Sequence, residues 1–466
     1  MILRIAQKEM TEIWRDGRFR LAAAVVMTLL SGALLLGWRQ YQDLRAQHEL
    51  AQQATRQQWL QQGKKNPHSA AHYGVYAFKP KVPLSLVDRG TDPYTGSAVW
   101  LEAHKMNEFK YRAAQDATAV QRFGELTGAM VLQLLIPLLI VLLSFNAFAG
   151  ERELGTLRQL MSLGVAPSTL AAGKAVGLAG ALGLILVPAA VIGAGAILLG
   201  SEAADATASL PRLAGMASSY LLYFAAFLGI SLAVSAWAKT SRAALLALLA
   251  FWMFNGLIAP RAASDVAKAL HPTPSAFDFA QGIQDAMNEP DNSRDEQLVA
   301  DLLKKYNVGK VEALPVNLSG IRLQDGEEHG NKIYDEAFGK LWATYARQDQ
   351  AHRWFGLLAP ALAVRAASMG FAGTDFSQHA HFAQAAEAYR RRIQRTMNED
   401  IAANLVKDGP YLANASLWQK VPSFRYQAPD AGWVWGRQAG GFAILLGWCA
   451  AAAALAVWAT RRVTVQ

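Results

Sequence analysis

The chain has 466 residues, of which 52% are hydrophobic and 17% charged, and this balance excludes a disordered protein and is unusual for a soluble one. Its formal net charge of +9 does not indicate nucleic-acid binding, because the basic residues lie beside apolar runs rather than in one patch. The single cysteine, Cys449, excludes a disulfide framework within the chain.

Six segments are long and apolar enough to cross a bilayer, because a hydrocarbon core of about 30 Å needs roughly 20 residues of helix. Their central parts contain no Asp, Glu or Lys, whereas soluble helices of that length seldom stay uncharged. The predicted spans are residues 21–38, 126–150, 175–200, 213–238, 243–260 and 436–460. The first has a longer apolar run than a signal peptide, so we expect an uncleaved anchor.

Arginine and lysine in the short connecting segments predict the orientation of the spans. These residues are concentrated in 1–20, in 151–174, at Lys239 and Arg242 between the fourth and fifth spans, and in the tail 461–466. All of these segments fall on one side of a six-span topology. The loop on the other side, 201–212, has only Arg212 beside two acids. Both termini are therefore predicted to be cytoplasmic, in the inner membrane of a bacterium.

Residues 1–20 have an amphipathic pattern that predicts a helix lying in the cytoplasmic membrane interface. The polar face of this helix carries both basic and acidic side chains. Its apolar face is predicted to consist of Leu3, Ala6, Met10, Ile13 and Trp14.

Two long polar segments, 39–125 and 261–435, lie between spans, and the topology puts both of them outside. We expect them to pack together as one large, mainly helical periplasmic domain. Helices are predicted over 41–62, 98–122, 295–306, 324–347 and 378–405, and an extended stretch over 80–94. The predicted fold class is thus an all-α membrane protein with six transmembrane helices and a large external helical domain.

The segment after the second span has a pattern of its own. It reads Gly150-Glu151-Arg152-Glu153-Leu154-Gly155-Thr156-Leu157-Arg158-Gln159-Leu160-Met161-Ser162-Leu163-Gly164. Charged residues stand at the membrane exit, and four apolar residues at helical spacing predict one stripe, made of Leu154, Leu157, Leu160 and Met161. We expect a short amphipathic helix on the inner membrane face, with a surface available to a cytosolic protein. An ordinary charged loop with a topogenic role is the alternative.

The stretch from Glu151 to Leu157 closely resembles the E-(K/R)-E-x-G-T-L signature of permease subunits of type-2 ABC transporters. The resemblance implies that 151–174 contains the coupling helix, which docks into a groove on a nucleotide-binding subunit. It implies a coupling role for Glu151, Arg152, Glu153, Leu154, Gly155, Thr156, Leu157 and Leu160. Six spans, cytoplasmic termini and an N-terminal interfacial helix are also similar to that family.

The two large external segments resemble those of a subgroup of these permeases. The shared stretches are Pro315 to Gly320 and Ala372 to Asp375, which is followed by His379 and Phe382. This resemblance predicts the architecture of the external part but does not indicate a substrate.

For the other candidate site residues, a simpler structural interpretation is available. His379 and His381 could bind a metal with His352 or Asp375, but residues two apart on a helix point in different directions, so no metal is expected. The basic cluster of Arg390, Arg391, Arg392 and Arg395 could bind lipid headgroups or an anionic substrate, although a solvated helix face is the simpler interpretation. Asn146 and Asn255 could line a translocation path or, more simply, serve helix packing.

The sequence favours the permease subunit of an ATP-driven, exporter-like transporter for an unidentified substrate. Because the chain has no phosphate-binding loop and no nucleophile elbow, we expect it not to be an enzyme and to hold no cofactor. ATP and Mg²⁺ are expected on a separate ABC ATPase subunit. A second or paralogous permease copy, membrane lipid and an outer-envelope protein are further expected partners. The alternative is a subunit that transmits force from ATP hydrolysis to an external partner, without substrate passing through the helices.

Overall fold

The computed structural model of the chain describes residues 1–116, 126–200, 203–289, 292–405 and 410–462. Residues 117–122 of the predicted helix 98–122 lie outside the described residues. So do the first two residues of the loop 201–212 and the end of the tail 461–466.

Six described helices are long and apolar enough to cross a membrane, which confirms the predicted number of spans. Numbered spans 1 to 6, they are Gly17–Leu60, Gly128–Glu153, Pro167–Leu198, Asp205–Trp237, Ser241–Leu270 and Ala431–Arg461. Span 1 continues beyond residue 38 through the predicted helix 41–62 as one helix, because the Gln- and Ala-rich sequence there consists of good helix formers.

Two spans contain a π turn immediately before a proline. In span 2 the turn Val131–Leu135 precedes Pro137, and in span 5 the turn Phe254–Ile258 precedes Pro260. A proline inside a helix lacks an N–H and crowds the carbonyl four residues earlier. The extra residue of a π turn relieves this crowding, so both helices pass their proline without ending.

The N-terminal helix Ile2–Arg15 lies across the beginning of span 3. Gly173, Gly177 and Gly180 leave room for it, since a Cβ atom on any of them would come within 2.5–2.7 Å of a side chain of that helix. The helix buries Ala6 and Glu9 there, whereas Leu3 and Trp14 stay exposed. The predicted apolar face is therefore divided between protein contacts and the outer surface.

The N-terminal helix, the segment after span 2 and the end of span 6 meet at one end of the bundle. Their side chains share a single apolar cluster, which contains Leu157, Ala459 and, at its edge, Ile5. We call this the terminal end of the bundle.

The two long polar segments form an extramembrane domain at the end of the bundle opposite the terminal end. Its helices are Pro67–Tyr73, Asp92–Thr95, Ala113–Asp116, Ala276–Asn288, Asn292–Tyr306, Leu318–Trp354, Pro360–Ala372, Phe376–Ala403 and Ala415–Lys420, with shorter 3-10 turns at Pro83–Leu86, Val311–Ala313 and Phe355–Leu357. Strands β1 (Val75–Phe78) and β2 (Ala98–Leu101) pair antiparallel, with Tyr76 opposite Trp100.

The helix predicted over 98–122 is wrong for residues 98–112. Val99 and Trp100 favour a strand, and β2 finds a partner in β1, where the ring centroids of Tyr76 and Trp100 lie 4.6 Å apart. Helical structure resumes only at Ala113. The sequence has helical spacing here, but the pairing of β1 with β2 stabilises a strand instead.

The two long segments pack against each other, as predicted. Trp59, at the end of span 1, and Trp418 are both buried, and their rings meet edge to face. The Trp59 indole N–H donates to the Trp418 carbonyl at 2.9 Å, and the Trp418 indole N–H donates to the Gly63 carbonyl at 2.9 Å. Span 1 is thereby fixed directly to the second segment.

The apolar helix Pro360–Ala372 joins the domain to the bundle. It packs against spans 4 and 6, and the Phe371 ring lies 4.9 Å from that of Trp435. The helix was not among those predicted, because its apolar run is too short for a span and lacks a polar face.

Asp92 is buried in the domain between two ammonium groups. Its carboxylate oxygens lie 2.7 Å from Lys79 Nζ and 2.6 Å from Lys81 Nζ. Burial alone would raise the pKa of Asp92, but the charges of Lys81 and Lys79 outweigh it and lower the pKa to about 2. A folded-state pKa below the unfolded one stabilises the protein above about pH 4, and this contribution is lost as the pH falls from about 4 to about 2.

Asp92→Asn should lower the free energy of unfolding at pH 7 by about 3–5 kcal/mol, because it leaves two buried ammonium groups without a counterion. Thermal unfolding of the purified protein measures this change, with the exposed Asp301→Asn as control. The difference between the two variants should shrink as the pH falls toward 3. Equal unfolding temperatures at pH 7 would show that the ion pairs contribute nothing net.

Candidate coupling site at the terminal end

The segment between spans 2 and 3 forms two short helices separated by a glycine. The last turn of span 2, Ala149–Glu153, stops at Gly155, which has a φ of +75°. A side chain at this φ would be strained, although nothing crowds the position, so conformation rather than space explains this glycine of the signature. The helix Thr156–Ser162 follows, and Gly164, with a φ of +79°, ends it as predicted.

Glu151 takes part in a buried ion-pair cluster. Its carboxylate lies 2.7 Å from Lys174 Nζ in span 3, and the same Nζ lies 2.8 Å from Glu9 of the N-terminal helix. The Lys174 side chain is only 2% exposed, and Lys8 completes the cluster at 3.6 Å from Glu151. Glu151 thus fixes the exit of span 2 to span 3 and to the N-terminal helix.

Arg152 and Glu153 bind the neighbouring spans. The Arg152 guanidinium donates to the carbonyls of Ala236 and Ala238 at the end of span 4. The Glu153 carboxylate accepts from the backbone N–H of Ser241 at 2.9 Å and from its hydroxyl at 2.6 Å, at the beginning of span 5. Arg152 therefore pairs with free carbonyls at the end of span 4, and Glu153 with a free N–H at the beginning of span 5. Each charge has the sign that stabilises that end of a helix.

The resemblance implies a coupling role for Glu151 and Glu153, but neither side chain offers a free carboxylate to a partner. Both carboxylates have partners within the chain, and Glu151 is largely buried. The predicted apolar stripe is also divided. Leu157 is 1% exposed and packs inside the chain, with Leu160 and Met161 beside it, because the break at Gly155 turns the following helix toward the bundle.

The exposed surface of the segment after span 2 is formed by residues that flank the helix Thr156–Ser162 on both sides. Leu154 is 80% exposed and Leu163 is 78% exposed. Gln159 is exposed between them. A protein that contacts this end of the bundle would meet these side chains first.

Sequence reasoning missed the internal partners Lys174 and Glu9. Lys174 was interpreted as a topogenic charge, and Glu9 was not singled out. A signal was present, because Lys174 stands at the beginning of an apolar, glycine-rich run, where an ionisable side chain usually needs a partner.

The other predicted residues do not gather here. Asn146 is exposed near the exit of span 2. Asn255 lies in the π turn of span 5, fully buried, where it donates to the Tyr223 hydroxyl at 3.0 Å and accepts from the backbone N–H of Ala361 at 3.0 Å. Its contacts are those of helix packing, which was the simpler interpretation.

A buried polar cluster lies where the bundle meets the domain. Gln133, in the π turn of span 2, donates to the Tyr220 hydroxyl at 3.1 Å, and Ser368 lies 2.9 Å from the same hydroxyl. Ser368 donates in turn to the buried carboxylate of Asp88. A cavity of about 1040 Å³ borders this cluster and is lined in part by Gln133, Asp88 and Arg365.

The rings of His379 and His381 lie in different surroundings. Burial lowers the pKa of the His379 imidazole to about 3, and its ring lies against Phe109, whereas His381 bonds the Tyr426 hydroxyl. The arginine cluster is also not one solvated face. Arg390 is 1% exposed and forms two hydrogen bonds to Glu387, at 2.7 and 2.6 Å.

The chain was compared with models of known protein families. Residues 96–255 match the family model described as ABC-2 family transporter protein, and this match contains the whole segment from Glu151 to Gly164. This match supports a type-2 ABC transporter permease. Residues 276–427 of the permease match a domain of unknown function, DUF3526. No curated protein matches the permease.

The match confirms the predicted resemblance, and together with the six long apolar helices it supports a multi-pass membrane subunit of an ABC transporter. Such permeases work with an ABC ATPase, and the family suggests a subunit without catalytic activity of its own. The second match covers most of the second long segment, so the part that distinguishes this permease is itself a recurrent domain.

Replacing Lys174 with Met should lower the free energy of unfolding by about 3–5 kcal/mol, because Glu9 and Glu151 then remain buried without their shared cation. Lys239→Met, at an exposed position of the same end, should change it by less than about 0.5 kcal/mol. Thermal unfolding in detergent compares the two. Adding Glu151→Gln to the Lys174 variant should recover part of the loss, and no recovery would contradict the pairing.

Proposed function

We propose that this permease is the transmembrane subunit of an exporter-like ABC transporter, driven by ATP that a separate subunit hydrolyses. The terminal end of the bundle faces the cytoplasm, and the extramembrane domain faces the periplasm of a bacterial inner membrane. The distribution of arginine and lysine supports this orientation. The permease family and the outward leucines of the segment after span 2 support the ATPase partner.

The observation that carries the proposal is the anchoring of that segment. Glu151, Arg152 and Glu153 are consecutive, and they bind the ends of spans 3, 4 and 5 respectively. Movement of the segment is therefore passed to three spans at once. ATP binding to the partner supplies the movement, and the permease converts it into a rearrangement of its helices.

In this proposal the docking contact consists of Leu154 and Leu163, with Gln159 between them. Burying one leucine in the groove of a partner contributes about 1.5–3 kcal/mol. Ion pairs at an exposed surface contribute only about 0–1 kcal/mol each. The two leucines thus account for more of the affinity than the charges of the signature, which serve the fold of the permease itself.

Leu154→Asp with Leu163→Asp should weaken ATPase binding by about 100-fold or more, since two apolar contacts of at least about 1.4 kcal/mol are lost. Copurification with the ABC ATPase subunit of the transporter, and stimulation of its ATPase activity, measure the effect. Leu50→Asp is the matched control, because Leu50 is also an exposed leucine but lies on the opposite side of the spans. A double variant that still copurified with a fully stimulated ATPase would refute the docking contact.

One observation favours a second candidate, in which the permease transmits force to an external partner without passing a substrate. Span 1 is a continuous helix of 44 residues, about 66 Å long, which is roughly twice the thickness of the bilayer core. Its far end is fixed to the second segment by Trp59 and Trp418. A rotation of span 1 at the membrane would therefore move the domain.

Solvent access between two permease copies distinguishes the candidates. Single cysteines at Leu246, Met253 and Leu257, on the outward surface of span 5, are placed in a Cys449→Ser background. Transport predicts labelling by a water-soluble maleimide in at least one nucleotide state of the complex. Force transmission predicts that these positions stay closed in every state.

A further inference from the structure

Three histidines of the extramembrane domain lie together, far from the coupling site. His68 and His72 are one turn apart on the helix Pro67–Tyr73, and His104 follows β2. One nitrogen from each ring can be chosen so that all three lie within 4.8 Å of one another. The His68 Nε2 lies 3.2 Å from the His72 Nε2 and 3.3 Å from the His104 Nε2.

Hydrogen bonds among the rings do not account for this arrangement. A neutral imidazole nitrogen has either one hydrogen or one lone pair in the ring plane, so it serves one partner. The His68 Nε2 has two ring nitrogens within 3.3 Å, and at most one of these contacts is a good hydrogen bond. The second contact brings two nitrogens together without a shared hydrogen, unless a cation lies between them.

The spacing fits a metal ion bound by all three rings. Nitrogen ligands of tetrahedral zinc lie 2.0–2.1 Å from the metal, which puts two of them about 3.3 Å apart. The contacts of 3.2 and 3.3 Å at His68 agree with that value. Three histidine ligands with a fourth position left open are an established arrangement for zinc, and imidazole suits the late divalent metals in general.

The surroundings hold one of the ligands in place. Glu327 is buried, and its Oε1 lies 2.7 Å from the His104 Nδ1 and accepts from the His104 backbone N–H at 3.0 Å. With a hydrogen on Nδ1, the Nε2 lone pair of His104 points to the other two rings. A carboxylate behind a ligating histidine is the usual second partner in metal sites.

The backbone at His104 and the groups behind Glu327 add to this constraint. His104 has a φ of +67°, a conformation that non-glycine residues rarely adopt and that clusters at functional sites. Glu327 is approached at 3.7 Å by the buried guanidinium of Arg390, which Glu387 holds in turn. The position of His104 is therefore determined by a chain of buried groups.

We propose that His68, His72 and His104 bind one late first-row divalent metal ion, with zinc as the ion that the geometry fits best. The three Nε2 atoms are the ligands, and a fourth position opens to solvent, since His72 and His104 are exposed. The site lies where the two long segments meet, because Glu327 belongs to the second segment and the three ligands to the first. The inference does not depend on the transport function.

Zinc binding to the purified, full-length permease tests the proposal. After removal of metal by a chelator, calorimetric titration with Zn²⁺ should give about one high-affinity site per chain. His72→Ala with His104→Ala should abolish that site. His329→Ala is the matched control, since His329 lies on the same helix as Glu327 but outside the cluster, and it should bind zinc like the original protein.

Glu327→Gln tests the positioning role separately. It keeps the three ligands and should weaken zinc binding by about 10–100-fold. X-ray absorption of the zinc-loaded protein should detect three imidazole nitrogens at about 2.0–2.1 Å. Absence of a high-affinity site in the original protein, or equal binding by the His72/His104 double variant that folds normally, would overturn the proposal.

Discussion

The terminal end of this permease depends on one buried ammonium group. Lys174 stands between Glu9 and Glu151, and each of these carboxylates comes from a different helix. Removing Lys174 leaves two carboxylates without their shared cation in a site from which water is largely excluded, which costs far more than an exposed ion pair contributes. The N-terminal helix, span 2 and span 3 are therefore held in one arrangement, and the contacts of Arg152 and Glu153 extend it to spans 4 and 5.

This arrangement gives the signature a physical meaning. Its acids and its arginine bind the permease's own helices, its glycine supplies a left-handed backbone, and its last leucine packs in the interior. The surface that remains outside is small and apolar. The residues that hold the end of the bundle are thus distinct from the neighbouring residues proposed to dock the ATPase. Variants of the first group should unfold this end, and variants of the second should affect only the proposed docking.

Much of the membrane part could be predicted from sequence, because apolar length and charge placement act locally. The position of the segment after span 2 and the end of its helix at Gly164 followed from the same local rules. Its partners did not, since Lys174 and Glu9 are 165 residues apart and only packing brings them together. The strand β2 and the histidine cluster were missed for the same reason. Each needs a partner distant in sequence, whether β1 for Trp100 or Glu327 for His104.

The two π turns have a consequence for how the spans can move. Each holds one residue more than a regular α-helical turn, and each contains a buried amide, Gln133 in span 2 and Asn255 in span 5. Passing the extra residue along the helix would rotate the intervening residues by about 100° without breaking the backbone ladder. The amides would then leave Tyr220 and Tyr223 and face a neighbouring helix. The polar character of this level of the bundle therefore depends on the helical register of these two spans rather than on their tilt.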